Sequence, residues 1–193
     1  MAAGGVEVGV VSLAGASSAT ATPAAAGAMA PPGSTPASVL GPFASGDTGG
    51  EIAAQTAAVA LGYALGQLGT PYRWGGEAPG VGFDCSGLVQ ASWAAAGVEL
   101  PRVAQAQMEA GPTLSPGVGL QPGDLVFFGP EPGVATHVGM VVDPAGLMVD
   151  AQYTGAFVRV DPFPTGEGQA WGDDLYLGAT RPADRTGSLP PGG

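Results

Sequence analysis

The sequence predicts an α+β domain in which N-terminal helices pack on one face of an antiparallel β-sheet. Three observations carry that expectation. Segments of helical period all fall before residue 111, short β-rich runs separated by turn residues all fall after residue 123, and neither type interleaves with the other as it would in a βαβ protein. Helices followed by a run of strands give helices packed on a meandering sheet rather than a parallel one.

The first 50 residues contain 38 Gly, Ala, Pro, Ser or Thr. Too few large apolar side chains remain there to offset the entropy of ordering the chain, so residues 1–50 read as a disordered linker or leader. Residues 51–183 are the expected folded unit, and residues 184–193 (DRTGSLPPGG) a flexible tail. The linker composition suggests upstream domains of a larger protein, or an inhibitory leader over a groove. Within the folded unit, Ile52 to Leu68 is Ala-rich, free of Pro and apolar at helical spacing, and it stops at Gly69-Thr70-Pro71. Ser86 to Ala96 repeats the pattern after a Gly-rich loop and ends at Gly97, with Leu88, Val89 and Trp93 on one face. A short third helix fits Ala104 to Ala110, between Pro101 and Gly111-Pro112.

From Asp124 onward the runs DLVFF, HVGMVV, LMVDA, FVRV and LYLGAT are broken at Gly129-Pro130, Asp143 to Gly146 and Thr154-Gly155. That spacing predicts antiparallel hairpins. If the Asp143 to Gly146 turn leaves four residues unpaired, Val142 faces Leu147, and the side chains of His137 and Asp150 share one sheet face as diagonal neighbours. An odd-length turn would separate them.

The chain carries 16 acidic residues against five Arg and no Lys, for a net charge of −11. The Arg residues are scattered, which excludes the clustered cations of a nucleic-acid surface. Residues 51–182 hold 13 of the acids and four of the bases, so the acidity belongs to the domain. No run of 18 apolar residues exists to span a membrane. Val6 to Ala16, the most apolar part of the opening, is short and has no basic residue before it; if the protein works outside the cell, its export signal is expected upstream of this chain or already removed.

Chemistry narrows to one thiol, Cys85, and one imidazole, His137. Together they are the minimal pair for cysteine nucleophilic catalysis. Cys85 falls where the Gly-rich loop enters the second helix, where unpaired N–H groups and the positive end of the helix dipole favour a thiolate. Asp150 is placed to accept from one imidazole nitrogen, fix the tautomer and stabilise the imidazolium while the other nitrogen faces Cys85. One Cys and one His make no structural zinc site, and GGEAPGVG (75–82) lacks the Lys of a phosphate-binding loop. Trp74, Trp93 and Trp171 read as core or groove wall, and Asp173-Asp174 as a solvated turn.

The blocks GTPYRWGG (69–76), FDCSGLVQ (83–90), ELPR (99–102), LQPGDLVFF (120–128), THVGMVV (136–142) and MVDAQYTGAFVRV (148–160) resemble, in order, the NlpC-type cell-wall cysteine endopeptidases. The resemblance implies a compact papain-like fold and hydrolysis of an amide bond in peptidoglycan stem peptides, between γ-D-glutamate and a diamino acid. It implies a secreted or envelope-facing protein with no metal or organic cofactor. By position, Cys85 is the nucleophile, His137 the base that becomes the acid, and Asp150 the third polar residue, where many members have His. Tyr72 matches a tyrosine whose hydroxyl helps hold the oxyanion. Asp84 and Ser86 match positions that read the polar ends of the stem peptide, and Arg102 and Gln107, further substrate-binding positions by the same resemblance, match a Pro-Arg-x-x-x-x-Gln stretch, here with Val103-Ala104 in place of the usual hydroxyl residues. A non-catalytic wall-binding module, a thiol acyltransferase and an interaction domain of a larger assembly are the competing readings.

Overall fold

The structure is a computed structural model that describes residues 48–187. The expected leader therefore lies outside the described residues except for residues 48–50, which form the opening of the first helix rather than linker. Of the expected tail, residues 188–193 lie outside the described residues.

Three helices come first: α1 (Thr48–Leu65), α2 (Cys85–Ala95) and α3 (Ala104–Ala110), with a two-residue hairpin, β1 (Glu77–Ala78) and β2 (Gly82–Phe83), between the first two. Six strands follow: β3 (Leu125–Gly129), β4 (His137–Asp143), β5 (Leu147–Asp150), β6 (Arg159–Pro162), β7 (Ala170–Trp171) and β8 (Asp174–Thr180). A closing 3-10 turn at Pro182–Gly187 buries Ala183 in the core, so regular structure continues a few residues into the expected tail. The sheet order is β6-β5-β4-β3-β8-β7, antiparallel throughout. β3 to β6 form the expected meander; the β7–β8 hairpin then returns to the free edge of β3.

Because β3 is central and covered on both faces, its sequence is continuously apolar, and alternate residues serve different cores. Leu125 and Phe127 join α1 and α2 in one cluster, where Leu88, Val89 and Trp93 are fully buried as their helical spacing predicts. Val126 and Phe128 face the opposite cluster, with Met148, Phe163 and Tyr176 beneath the β7–β8 hairpin. Each such side chain taken from water stabilises the fold by about 1.5–3 kcal/mol before the entropy of ordering it is counted.

The β4–β5 connection differs from the even turn expected. Asp143, not Val142, faces Leu147, leaving a three-residue loop. A register shift between Val141 and Asp143 makes Val142 an extra residue, so Met140 faces Val149 and the strands regain the phase that an even turn would have given. Gly146 sits in that loop at φ +113°, and a Cβ there would lie 2.8 Å from the Phe163 carbonyl oxygen. Both facts demand glycine.

Candidate active site

Cys85 is the first residue of α2, and the sequence around it explains why the helix starts there. Asp84 caps the helix: its Oδ1 accepts from Gly87 N–H at 2.7 Å, and its Oδ2 accepts from Gly75 N–H at 2.9 Å. Arg102 donates to both carboxylate oxygens, Nη1 to Oδ1 at 3.0 Å and Nη2 to Oδ2 at 2.7 Å, and its Nε pairs with Glu77 at 3.0 Å. Asp84, beside this guanidinium, holds Arg102 above its ordinary range. The Gly75–Gly76 loop lies against the first turn of α2 so closely that a Cβ on Gly87 would come within 2.1 Å of the Gly76 carbonyl oxygen. In the block DCSG, aspartate caps, cysteine opens the helix and glycine clears room for the loop.

His137 opens β4 and is almost completely buried. Its Nε2 lies 2.8 Å from Oδ2 of Asp150, which is fully buried at the end of β5. Cys85 is the other group that acts on the imidazole, and with Nε2 committed to Asp150 the nitrogen left to it is Nδ1. Burial alone would push the imidazole's pKa down. The bonds to Asp150 and Cys85, with the charges of both, outweigh it and raise the pKa to about 9. Asp150 is raised above the usual carboxylate range, first by burial, against which the His137 bond works, and further by the neighbouring Asp161 carboxylate. Its Oδ1 is buried without a hydrogen-bond partner.

Cys85 and His137 meet in a cleft of about 810 Å³. Tyr72 lines it as well, positioned by its backbone N–H to the Ala156 carbonyl at 2.9 Å and by a bridge to Phe83. Its hydroxyl is raised by burial and then by the charges of Cys85 and Asp84, which places it in the electrostatic reach of the thiol. Asp84, Ser86 and Arg102 also face this cleft. Gln107 does not: it is 1% exposed, and its Nε2 donates to the Ser86 carbonyl at 3.0 Å and the Pro101 carbonyl at 2.8 Å. It ties α3 to the turn that carries Cys85, and the glutamines that line the cleft are Gln105 and Gln152 instead.

Trp93 is core and Trp171 is cleft wall, as their composition suggested, whereas Trp74 stands 89% exposed on the rim. Gly172 and Asp173 form the β7–β8 turn, whereas Asp174, expected in the turn, is the first residue of β8 and pairs with Trp171; both aspartates edge the cleft. Sequence reasoning gave no role to Gln105, Gln152 or Asp161. Nothing in their local pattern marks them, because each acquires its neighbours only through strand pairing or the α3 docking. Among the described residues, no group of three or more His, Cys, Asp or Glu stands close enough to hold a metal ion, and no helix is long and apolar enough to cross a membrane.

The family model described as NlpC/P60 family matches residues 69–175. A protein of Mycobacterium tuberculosis named a probable endopeptidase is 42% identical over 139 residues, which are 72% of this chain and 32% of that protein. The chain thus spans about a third of the length of such curated relatives. The structure of the peptidoglycan hydrolase RipB from Mycobacterium tuberculosis is similar over 68% of this chain and 66% of that one, with a TM-score of 0.55 and 30% identity. RipD of the same organism, titled a non-catalytic NlpC/p60 domain protein adapted to peptidoglycan binding, is similar with a TM-score of 0.51 and 28% identity, over 66% of this chain and 97% of that one.

Proposed function

The chain belongs to the NlpC/P60 family, and from that premise we propose that it is a peptidoglycan endopeptidase acting through Cys85, His137 and Asp150 on an amide bond of the stem peptide. The observation that carries the reading is the 2.8 Å contact between His137 and a buried Asp150, on an imidazole whose other partner is the thiol at a helix N-terminus. A binding module has no need of a buried imidazole held between a carboxylate and a thiol.

In this mechanism, Nδ1 of His137 takes the proton of Cys85, and the thiolate attacks the scissile carbonyl carbon. The resulting oxyanion is met by the Cys85 backbone N–H and the Tyr72 hydroxyl. The imidazolium then protonates the leaving amine, the C–N bond breaks, and a thioester remains on Cys85. Water, deprotonated by His137, attacks that thioester; a carboxylate leaves and the thiol is restored. Asp150 holds the tautomer and the plane of the imidazole throughout.

The bond is the one between γ-D-glutamate and a diamino acid, and the protein works in the envelope or outside the cell. Arg102, with Asp84 and Ser86 around it, reads the polar end of the stem peptide from the Cys85 side of the cleft. Because both Asp84 oxygens are already committed, Asp84 acts there by fixing Arg102 and the nucleophile turn. Gln107 supports that turn from behind.

The test is to incubate the protein and Cys85→Ala with purified peptidoglycan and with soluble muropeptides, and to identify products by mass spectrometry. A Cys85-dependent new amine on the diamino acid next to D-glutamate supports the reading. Transfer of the acyl group to an added amine, with little hydrolysis, would replace it by the acyltransferase reading. No product from several wall chemistries, despite a folded protein, would replace it by the binding-module reading.

A further inference from the structure

The imidazole of His137 is enclosed by groups of two kinds. The titratable ones are Cys85 from α2 and Asp150 from β5, with Asp161 of β6 behind Asp150. The aromatic ones are Phe128 of β3, tilted by 42° at 6.0 Å, and Trp171 of β7, whose indole lies nearly parallel to the imidazole, 18° between planes and 5.1 Å between centroids. Trp171 is itself fixed. Its Nε1 donates to the Pro162 carbonyl at 2.9 Å, and its ring contacts Phe128 at 4.5 Å. Its remaining surface lines the cleft.

We propose that Trp171 is the positioning residue of the catalytic imidazole: its indole covers one face of His137, keeps water from the His137–Asp150 bond, and holds the ring in the plane that serves Asp150 and Cys85 together. The proposal rests on the endopeptidase reading for its kinetic consequence but not for its structural one. A hydrogen bond between charged partners is strong where water cannot compete for it. An electron-rich indole face also favours a cation stacked on it. The β7–β8 hairpin, two residues of strand and a tight turn, thus places one ring onto the base and makes the same ring the cleft wall on the base's side.

His137 is the only histidine of the chain, so its ring resonances are unambiguous. The experiment is a pH titration of those resonances by heteronuclear NMR in the full chain, its Trp171→Ala and its Trp171→Phe variants, alongside their steady-state kinetics on soluble muropeptides. The indole should shift the wild-type ring protons upfield. In Trp171→Ala that shift should vanish, and the midpoint should fall from about 9 by about one pH unit, because a His137–Asp150 bond opened to water and a lost cation–π contact outweigh the relief of burial, which alone would raise it. Trp171→Phe, which keeps a ring on the imidazole, should retain most of the wild-type midpoint. Turnover should fall about tenfold in Trp171→Ala with KM changed less than about twofold, and recover in Trp171→Phe. An unshifted wild-type ring, or the same midpoint in wild type and Trp171→Ala, would overturn the proposal. If Trp171→Ala fails to fold, the wild-type ring-current shift and the Trp171→Phe midpoint decide it. A shifted ring with the expected midpoints, in a protein that cuts no wall substrate, would leave the positioning role standing and overturn the endopeptidase reading.

Discussion

His137 Nε2 and Asp150 Oδ2 lie 2.8 Å apart on strands whose connecting loop, by its length alone, would put their side chains on opposite faces of the sheet. The extra residue Val142 corrects the phase. Sheet side chains alternate with a period of two, so a three-residue loop and a one-residue bulge together are equivalent to an even turn. Bond and bulge are one device.

Gly146→Ala tests that device. The substitution forces a side chain into a φ of +113° and against the Phe163 carbonyl. It should cost about 1–3 kcal/mol in urea denaturation and lower turnover through the displaced Asp150. A variant as stable and as active as the parent would mean that the loop does not set the register.

Asp150→Asn should separate stability from activity. Asp150 has one buried oxygen without a partner and a second carboxylate, Asp161, beside it. An amide at this position accepts from Nε2–H with its oxygen and turns its NH2 toward Asp161, so the melting temperature should hold or rise. Turnover should fall about a hundredfold as the imidazolium loses its counter-charge. Asp150→Ala, which leaves the imidazole unpaired, should instead cost about 3 kcal/mol or more.

The pH dependence follows from His137. Its pKa is raised on folding, from the ordinary 6.5 to about 9, so the folded state binds that proton more tightly than the unfolded chain. The stability it contributes is fully present below about pH 6.5 and is lost as pH rises through about 9. Urea midpoints measured from pH 6 to 10 should fall across that window, and His137→Gln should flatten the fall.

Asp84→Ala should be among the most damaging single changes outside Cys85 and His137. It removes the cap of α2, frees two backbone N–H groups and leaves Arg102 without its bidentate partner. A loss of about 3 kcal/mol or more is expected by thermal or urea unfolding. Arg102→Lys, with Asp84 intact, should lose much of the same stability, since an ammonium cannot engage both oxygens as the guanidinium fork does.

Tyr72→Phe should leave KM within about twofold and lower turnover about ten- to a hundredfold, the signature of a donor used in the transition state. Equal losses in binding and turnover would assign Tyr72 to packing.

Part of this arrangement is legible in the sequence. Cys85 at a helix start and the apolar face of α2 follow from local period and capping, which act over a few residues; the shared face of His137 and Asp150 was expected from an even turn and is reached instead through a three-residue loop and a bulge. The parts that were not readable are non-local. Val142 looks like any other strand valine, and its bulge exists because the Asp143 to Gly146 turn closes with three residues. The family resemblance assigns Gln107 to the substrate, yet α3 docks with that face inward, toward the carbonyls of Ser86 and Pro101. Trp171 reaches His137 only because the last hairpin returns to β3.

The central claim is that Cys85, His137 and Asp150 act as one nucleophilic unit, and the rate at which iodoacetamide alkylates Cys85 at pH 7 tests it without any substrate. Cys85 is the chain's only thiol, so the modified site is certain. Wild type should react at least about tenfold faster than a free peptide thiol, His137→Ala should fall to the peptide rate, and Asp150→Asn should lie between them. Equal rates in wild type, His137→Ala and the free peptide would contradict the account.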